Sequence, residues 1–76
     1  MQRVRLTSAW TGTGTKADPY RPKFMADHPT YSALHNISGT PPGGQCQIDA
    51  DLDQATYNAV MADPTYNLGT QPLGVP

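Results

Sequence analysis

The sequence predicts a small α+β domain. A two- to three-stranded, mostly antiparallel sheet carries one short helix, spanning about 53–63, with long Gly/Pro loops and an extended C-terminal arm around them. Three observations carry this expectation. Gln45–Met61 first alternates apolar and polar residues and then repeats apolar residues every three or four, so a strand hands directly into a helix. Arg3–Trp10 alternates in the same way and supplies a second strand. Seven Gly and eight Pro among 76 residues leave much of the chain to turns and extended loops.

In chain order, the first strand puts Val4, Leu6, Ser8 and Trp10 on one side and Arg3, Arg5, Thr7 and Ala9 on the other. Thr11–Pro22 is a long turn region, in which Pro19 and Pro22 push Asp18 and Arg21 out of the helical region. Phe24–Tyr31 holds a short turn at Asp27. Tyr31–Ile37 forms a strand with Tyr31, Ala33, His35 and Ile37 on one face and Ser32, Leu34 and Asn36 on the other, neither of them clean. Ser38–Gly44 is loop. The strand from Gln45 to Leu52 then turns Cys46, Ile48, Ala50 and Leu52 inward and Gln47, Asp49 and Asp51 to solvent. Asp53 is a good helix N-cap, with Leu52 and Tyr57 at the spacing of a hydrophobic staple. Tyr57, Val60 and Met61 make the apolar stripe, and Pro64 stops the helix. The domain is expected to span 1–64, and 65–76 to be an extended arm that either docks through Tyr66, Leu68, Leu73 and Val75, on the domain or on a neighbour, or is disordered. Met25-Ala26-Asp27-His28-Pro29-Thr30-Tyr31 is echoed by Met61-Ala62-Asp63-Pro64-Thr65-Tyr66, a reused device for stopping a helix and turning.

Composition limits what such a chain can do alone. Cys46 is the only cysteine, so no internal disulfide forms, and with two His it falls short of a four-ligand zinc cage. Five Leu, two Ile, three Val and one Phe make a thin core, while a net charge of −1 argues against disorder. Below about 70–80 residues such a core rarely stabilises a fold unaided. Association with itself or with another protein is the remaining source of stability.

Charge is segregated. Arg3, Arg5, Lys16, Arg21 and Lys23 all lie in the first 23 residues against Asp18 alone, and the rest of the chain holds five Asp and no base. Opposite charges at opposite ends fit a charge-paired fold or a head-to-tail protein contact. Nucleic-acid binding by the basic segment is the alternative, although five spread bases make a poor phosphate track.

Several chemical patterns fail on context. Gly12-x-Gly14-x-x-Ala17 follows a strand like a dinucleotide fingerprint, but Pro19 blocks the helix it requires. Asp49-x-Asp51-x-Asp53 opens like a calcium loop, but Gln54 stands at the glycine position and Val60 at that of the bidentate Glu. Cys46 with His28 or His35 suggests a nucleophilic triad, yet it alternates onto the apolar face, where a thiol is inert. No catalytic residue, cofactor or metal is expected, and the chain reads as a non-enzyme.

Two patches carry a resemblance. Gly12-Thr13-Gly14-Thr15 followed by Asp18-Pro19-Tyr20-Arg21-Pro22 resembles the opening of small proteins encoded among tailed-phage and prophage structural genes. Asp51-Leu52-Asp53, Tyr57 and Ala62-Asp63-Pro64 resemble their closing strand, short helix and stop. The resemblance implies a minor structural protein of a virion, assembled in the host cytoplasm. Its partners would be the major capsid, connector or tail protein or copies of itself, with no membrane. Contact surface is expected from Trp10, Tyr20, Arg21, Phe24, Tyr66, Leu68, Leu73 and Val75. The alternative is a small nucleic-acid-binding or regulatory protein using its basic N-terminal segment.

Overall fold

The chain runs β1 (Gln2–Ser8), β2 (Trp10–Thr11), β3 (Arg21–Pro22), α1 (Phe24–Asp27), β4 (Ala33–Ser38), β5 (Cys46–Leu52), α2 (Gln54–Ala62) and β6 (Gln71–Gly74) in the computed structural model, which describes all 76 residues. The α+β class is as expected, but the main sheet has four strands in the order β4-β5-β1-β6, and β2 and β3 form a separate two-stranded ribbon. All pairings are antiparallel. The fourth strand comes from the predicted arm: residues 71–74 fold back along β1, so the arm docks on its own domain.

The strand-to-helix unit forms where its pattern puts it, although the helix buries Thr56 and Val60 and leaves Tyr57 and Met61 of the expected stripe half-buried. Cys46, Ile48, Ala50 and Leu52 are fully buried. The Asp53 carboxylate accepts the Thr56 amide at 2.7 Å, capping α2, and Asp63 ends the helix in extended conformation. At about 1.5 Å per residue the nine residues of α2 span about 14 Å, too short to hold without tertiary packing. Val60 and Thr56 supply that packing on one face of the sheet, and the buried Thr56 hydroxyl is satisfied by that of Thr30 at 3.0 Å.

Nine apolar side chains make the core: Val4, Leu6, Phe24, Cys46, Ile48, Ala50, Leu52, Val60 and Tyr66. Phe24 and Tyr66 therefore offer no contact surface, contrary to the sequence expectation. The expected turn near Asp27 is a one-turn helix, α1, that drives Phe24 inward, where its ring meets Tyr66 edge-on at 5.5 Å. The helices and the core occupy one face of the sheet. No element covers the other.

Both sheet edges are bulged. On β4, Asn36 and Ile37 together oppose Ile48, since His35 pairs with Asp49 and Ser38 with Gln47. Asn36 takes φ 53°, a left-handed conformation that Asn tolerates better than most residues. The bulge explains why neither face of this strand was clean: it breaks the alternation and brings Ser38 onto the same face as His35. On β6, Leu73 is the extra residue between the Pro72–Val4 and Gly74–Arg3 pairs, and Pro72 offers no N–H.

Candidate functional site

The uncovered face of the sheet is built from the alternate residues of its strands. Arg3 and Arg5 of β1 point there because Val4 and Leu6 point into the core, and Asp49 and Asp51 of β5 do so because Ile48 and Ala50 are buried. Antiparallel register sets Arg3 opposite Asp51 and Arg5 opposite Asp49. Each pair makes two hydrogen bonds from one edge of the guanidinium: Arg3 Nε and Nη2 to Asp51 at 2.7 and 3.1 Å, Arg5 Nε and Nη2 to Asp49 at 2.8 and 3.1 Å. Such charge-assisted forks fix both position and orientation.

The edge strand β4 adds a third column. The His35 Nε2 lies 2.9 Å from Asp51 Oδ2, and Asn36 Nδ2 donates to Asp49 Oδ2 at 3.0 Å. The Arg5 guanidinium and the Asn36 amide hold the Asp49 carboxyl down to about 2, and the Arg3 guanidinium with His35 does the same for Asp51. These two acids do not form the solvated edge expected from the strand pattern. The side chain of Asp49 is 6% exposed and that of Asp51 13%, because the arginines lie over them and are themselves 36% (Arg3) and 44% (Arg5) exposed. Viewed from solvent the face presents guanidinium groups, with the carboxylates underneath.

Beside Arg5 the face dips into an open depression of ≈ 360 Å³ lined by Arg5, Asn36, Ser38, Gln47 and Asp49. Ser38 and Gln47 are register partners on adjacent strands, both exposed. Comparison with protein-family models, with curated proteins and with solved structures found no match.

A second polar cluster joins the two halves of the sequence echo. Both copies of Met-Ala-Asp end a helix, α1 at Asp27 and α2 at Ala62, and the two stops grip each other. Tyr66 of the second copy donates its phenol to Asp27 at 2.7 Å, and His28 of the first reaches Asp63 at 2.9 Å. Burial, followed by the neighbouring Asp27 carboxylate, pushes the Tyr66 phenol well above its ordinary range. The Thr65 amide and then His28 hold the Asp63 carboxyl below the usual carboxylate range.

Other residues singled out from the sequence lie apart from both clusters. Trp10 is half-buried against the core with its Nε1–H enclosed and without a partner, and Gly39 passes close to its ring. The half-buried ring of Tyr20 sits over Gly14, where any side chain would collide with it, and Arg21 is exposed. Leu68 is 97% exposed, Val75 79% and Leu73 40%. The Cys46 thiol is buried, donates to the Ser8 carbonyl at 3.3 Å and has its pKa raised by burial, which suits packing rather than reaction. Sequence reasoning missed the role of His35, Asn36, Ser38 and Gln47. The matching i, i+2 spacing of Arg3/Arg5 and Asp49/Asp51 was the available signal for the charge ladder.

Proposed function

We propose that this chain is a non-enzymatic contact protein that works by surface burial in multiple copies, as a minor structural component of a tailed-phage particle attached to capsid, connector or tail. The observation carrying the contact reading is where the aliphatic side chains lie. The chain has ten Leu, Ile and Val residues, and four of them, Ile37, Leu68, Leu73 and Val75, are exposed. A small domain short of core residues gains nothing by itself from leaving these outside, whereas a partner surface would cover them. Leu68 sits on a turn fixed by hydrogen bonds from the Tyr66 and Asn67 amides to the Asp63 carbonyl and from the Gly69 amide to the Tyr66 carbonyl. An apolar anchor already ordered before binding loses little entropy when it docks.

The reactive side chains support the same reading, because they are engaged with one another: Asp49 and Asp51 with arginines, Asp53 with a helix amide, Asp27 with Tyr66, and Asp63 with His28. Both edges are bulged and β6 carries Pro72, which disfavours growth by strand addition, so contacts through side chains and loops are favoured. The phage assignment rests on the Gly12–Pro22 and Asp51–Pro64 patches.

The test compares the native mass and thermal midpoint of the purified chain over a range of concentrations with the protein content of virus particles from the same source. The expected result is a midpoint that rises with concentration or on adding particles, and a band for this chain in those particles. A stable monomer, indifferent to concentration and absent from particles, overturns it. Nucleic-acid binding is disfavoured because Arg3, Arg5 and Lys23 are paired with Asp51, Asp49 and Asp27, which leaves Lys16 and Arg21 outside any ion pair.

A further inference from the structure

We infer that the depression beside Arg5 is a docking site for a carboxylate, presented by an acidic side chain of a partner protein. The inference deepens the contact reading and rests on it for the source of the carboxylate. Asp49 grips Arg5 along one edge, through Nε and Nη2, leaving Nη1 with no hydrogen bond within the chain. Arg5 lines the depression and its guanidinium is fixed along one edge by Asp49, so a second carboxylate entering there meets a donor group already held in place. Ser38 and Gln47 face each other across β4 and β5 beside it, and neither side chain has a partner within the chain. Their hydroxyl and amide supply two further donors. The bulge that places Ser38 here requires the left-handed backbone of Asn36, whose amide N–H is already given to Asp49.

Charge selects the ligand. Asp49 lies within hydrogen-bond distance of the same guanidinium, so the site is electrically neutral before the ligand arrives. Each negative charge on a ligand here meets repulsion from Asp49 as well as attraction from Arg5, so one charge is favoured over two or more, and a monoanionic carboxylate over a phosphate dianion or a polyanionic backbone. The absence of apolar lining residues argues against a hydrophobic small molecule.

The experiment titrates the isolated chain with sodium acetate, sodium chloride and sodium phosphate at matched ionic strength. It follows the Arg5 Nε–H, Ser38 amide and Gln47 side-chain amide signals by NMR. Acetate is expected to shift these signals saturably while chloride does not, and phosphate is expected to bind more weakly than acetate. The double variant Ser38→Ala/Gln47→Ala, altered only at exposed positions, should keep its thermal midpoint and bind acetate about tenfold more weakly, the loss of two modest hydrogen bonds. Acetate shifts no different from those of chloride, tighter binding of phosphate, or an unchanged affinity in the double variant overturns the site. Loss of the site in a chain that still enters particles leaves the contact reading standing. Acetate binding by a concentration-indifferent monomer absent from particles removes the partner as the carboxylate's source.

Discussion

Arg5 and Asp49 face each other across β1 and β5 and meet through two hydrogen bonds of 2.8 and 3.1 Å, yet they differ sharply in burial: the aspartate is 6% exposed and the arginine 44%. The two ends of this pair are therefore unequal. Arg5→Met keeps a side chain over the carboxylate but removes its counter-ion, whereas Asp49→Ala leaves a guanidinium that already reaches water. Arg5→Met is expected to lower the thermal midpoint more than Asp49→Ala does, and the double variant to recover part of the loss. Midpoints of the four proteins check this; additive single effects of equal size would contradict it.

Acid should unfold the protein within a definite window. Asp49 and Asp51 have folded-state pKa values near 2, below their ordinary value of 3.8. A carboxyl depressed on folding adds stability that is fully present above its unfolded pKa and is lost as pH falls through its folded pKa. The Asp53 and Asp63 carboxyls are displaced in the same direction. Thermal midpoints measured from pH 6 downward should hold until about pH 4 and then drop towards pH 2, more shallowly in an Asp49→Asn/Asp51→Asn variant.

The backbone of Asn36 separates strain from hydrogen bonding. At φ 53° an alanine pays for its Cβ with roughly 1–2 kcal/mol, while glycine does not. Both substitutions lose the bond to Asp49. Asn36→Gly is therefore expected to be more stable than Asn36→Ala in urea unfolding, despite the lower intrinsic strand preference of glycine. The reverse order would mean that the bulge relaxes when the side chain is removed.

Phe24 and Leu68 were both expected to serve contact, and the structure divides them. Phe24→Ala empties a fully buried site and should cost about 3–5 kcal/mol in the isolated chain. Leu68→Ala removes a side chain that touches almost nothing and should change stability by no more than about 0.5 kcal/mol. Under the contact reading Leu68→Ala instead weakens association, which sedimentation or particle incorporation measures.

The strand-to-helix unit was legible because both of its periods are local. Cys46, Ile48, Ala50 and Leu52 point inward as the alternation says, and Asp53 caps α2 as its position says. Alternation tells which side a residue takes, but not what will lie over it. It puts Asp49 and Asp51 on the correct face but does not show that they are covered, because the arginines over them stand more than forty residues away in sequence. The opposite charges of the two chain ends did point to pairing, and the register now names the partners. Residues 71–74 read as an arm because Pro72 and Gly74 hide the pattern of a strand, and only the edge of β1 makes them one. Phe24 and Tyr66, set among Gly and Pro, lacked any periodic context that would have marked them as core. The repeated Met-Ala-Asp was the clue, since it ends both of the helices whose stops clasp these rings together.

The position of β1 bears on how quickly the molecule assembles. It is one of the two interior strands, yet both its neighbours come from the far half of the chain, with Gln2 paired to Leu52 and Arg3 to Gly74. Closing loops of this size has to precede any reward from pairing, so the rate should resemble that of β-rich domains, milliseconds to seconds, despite the small size. Until residues 46–52 and 71–74 arrive, Val4 and Leu6 stand exposed on an unpaired strand, and that interval is when the chain is most open to misassociation.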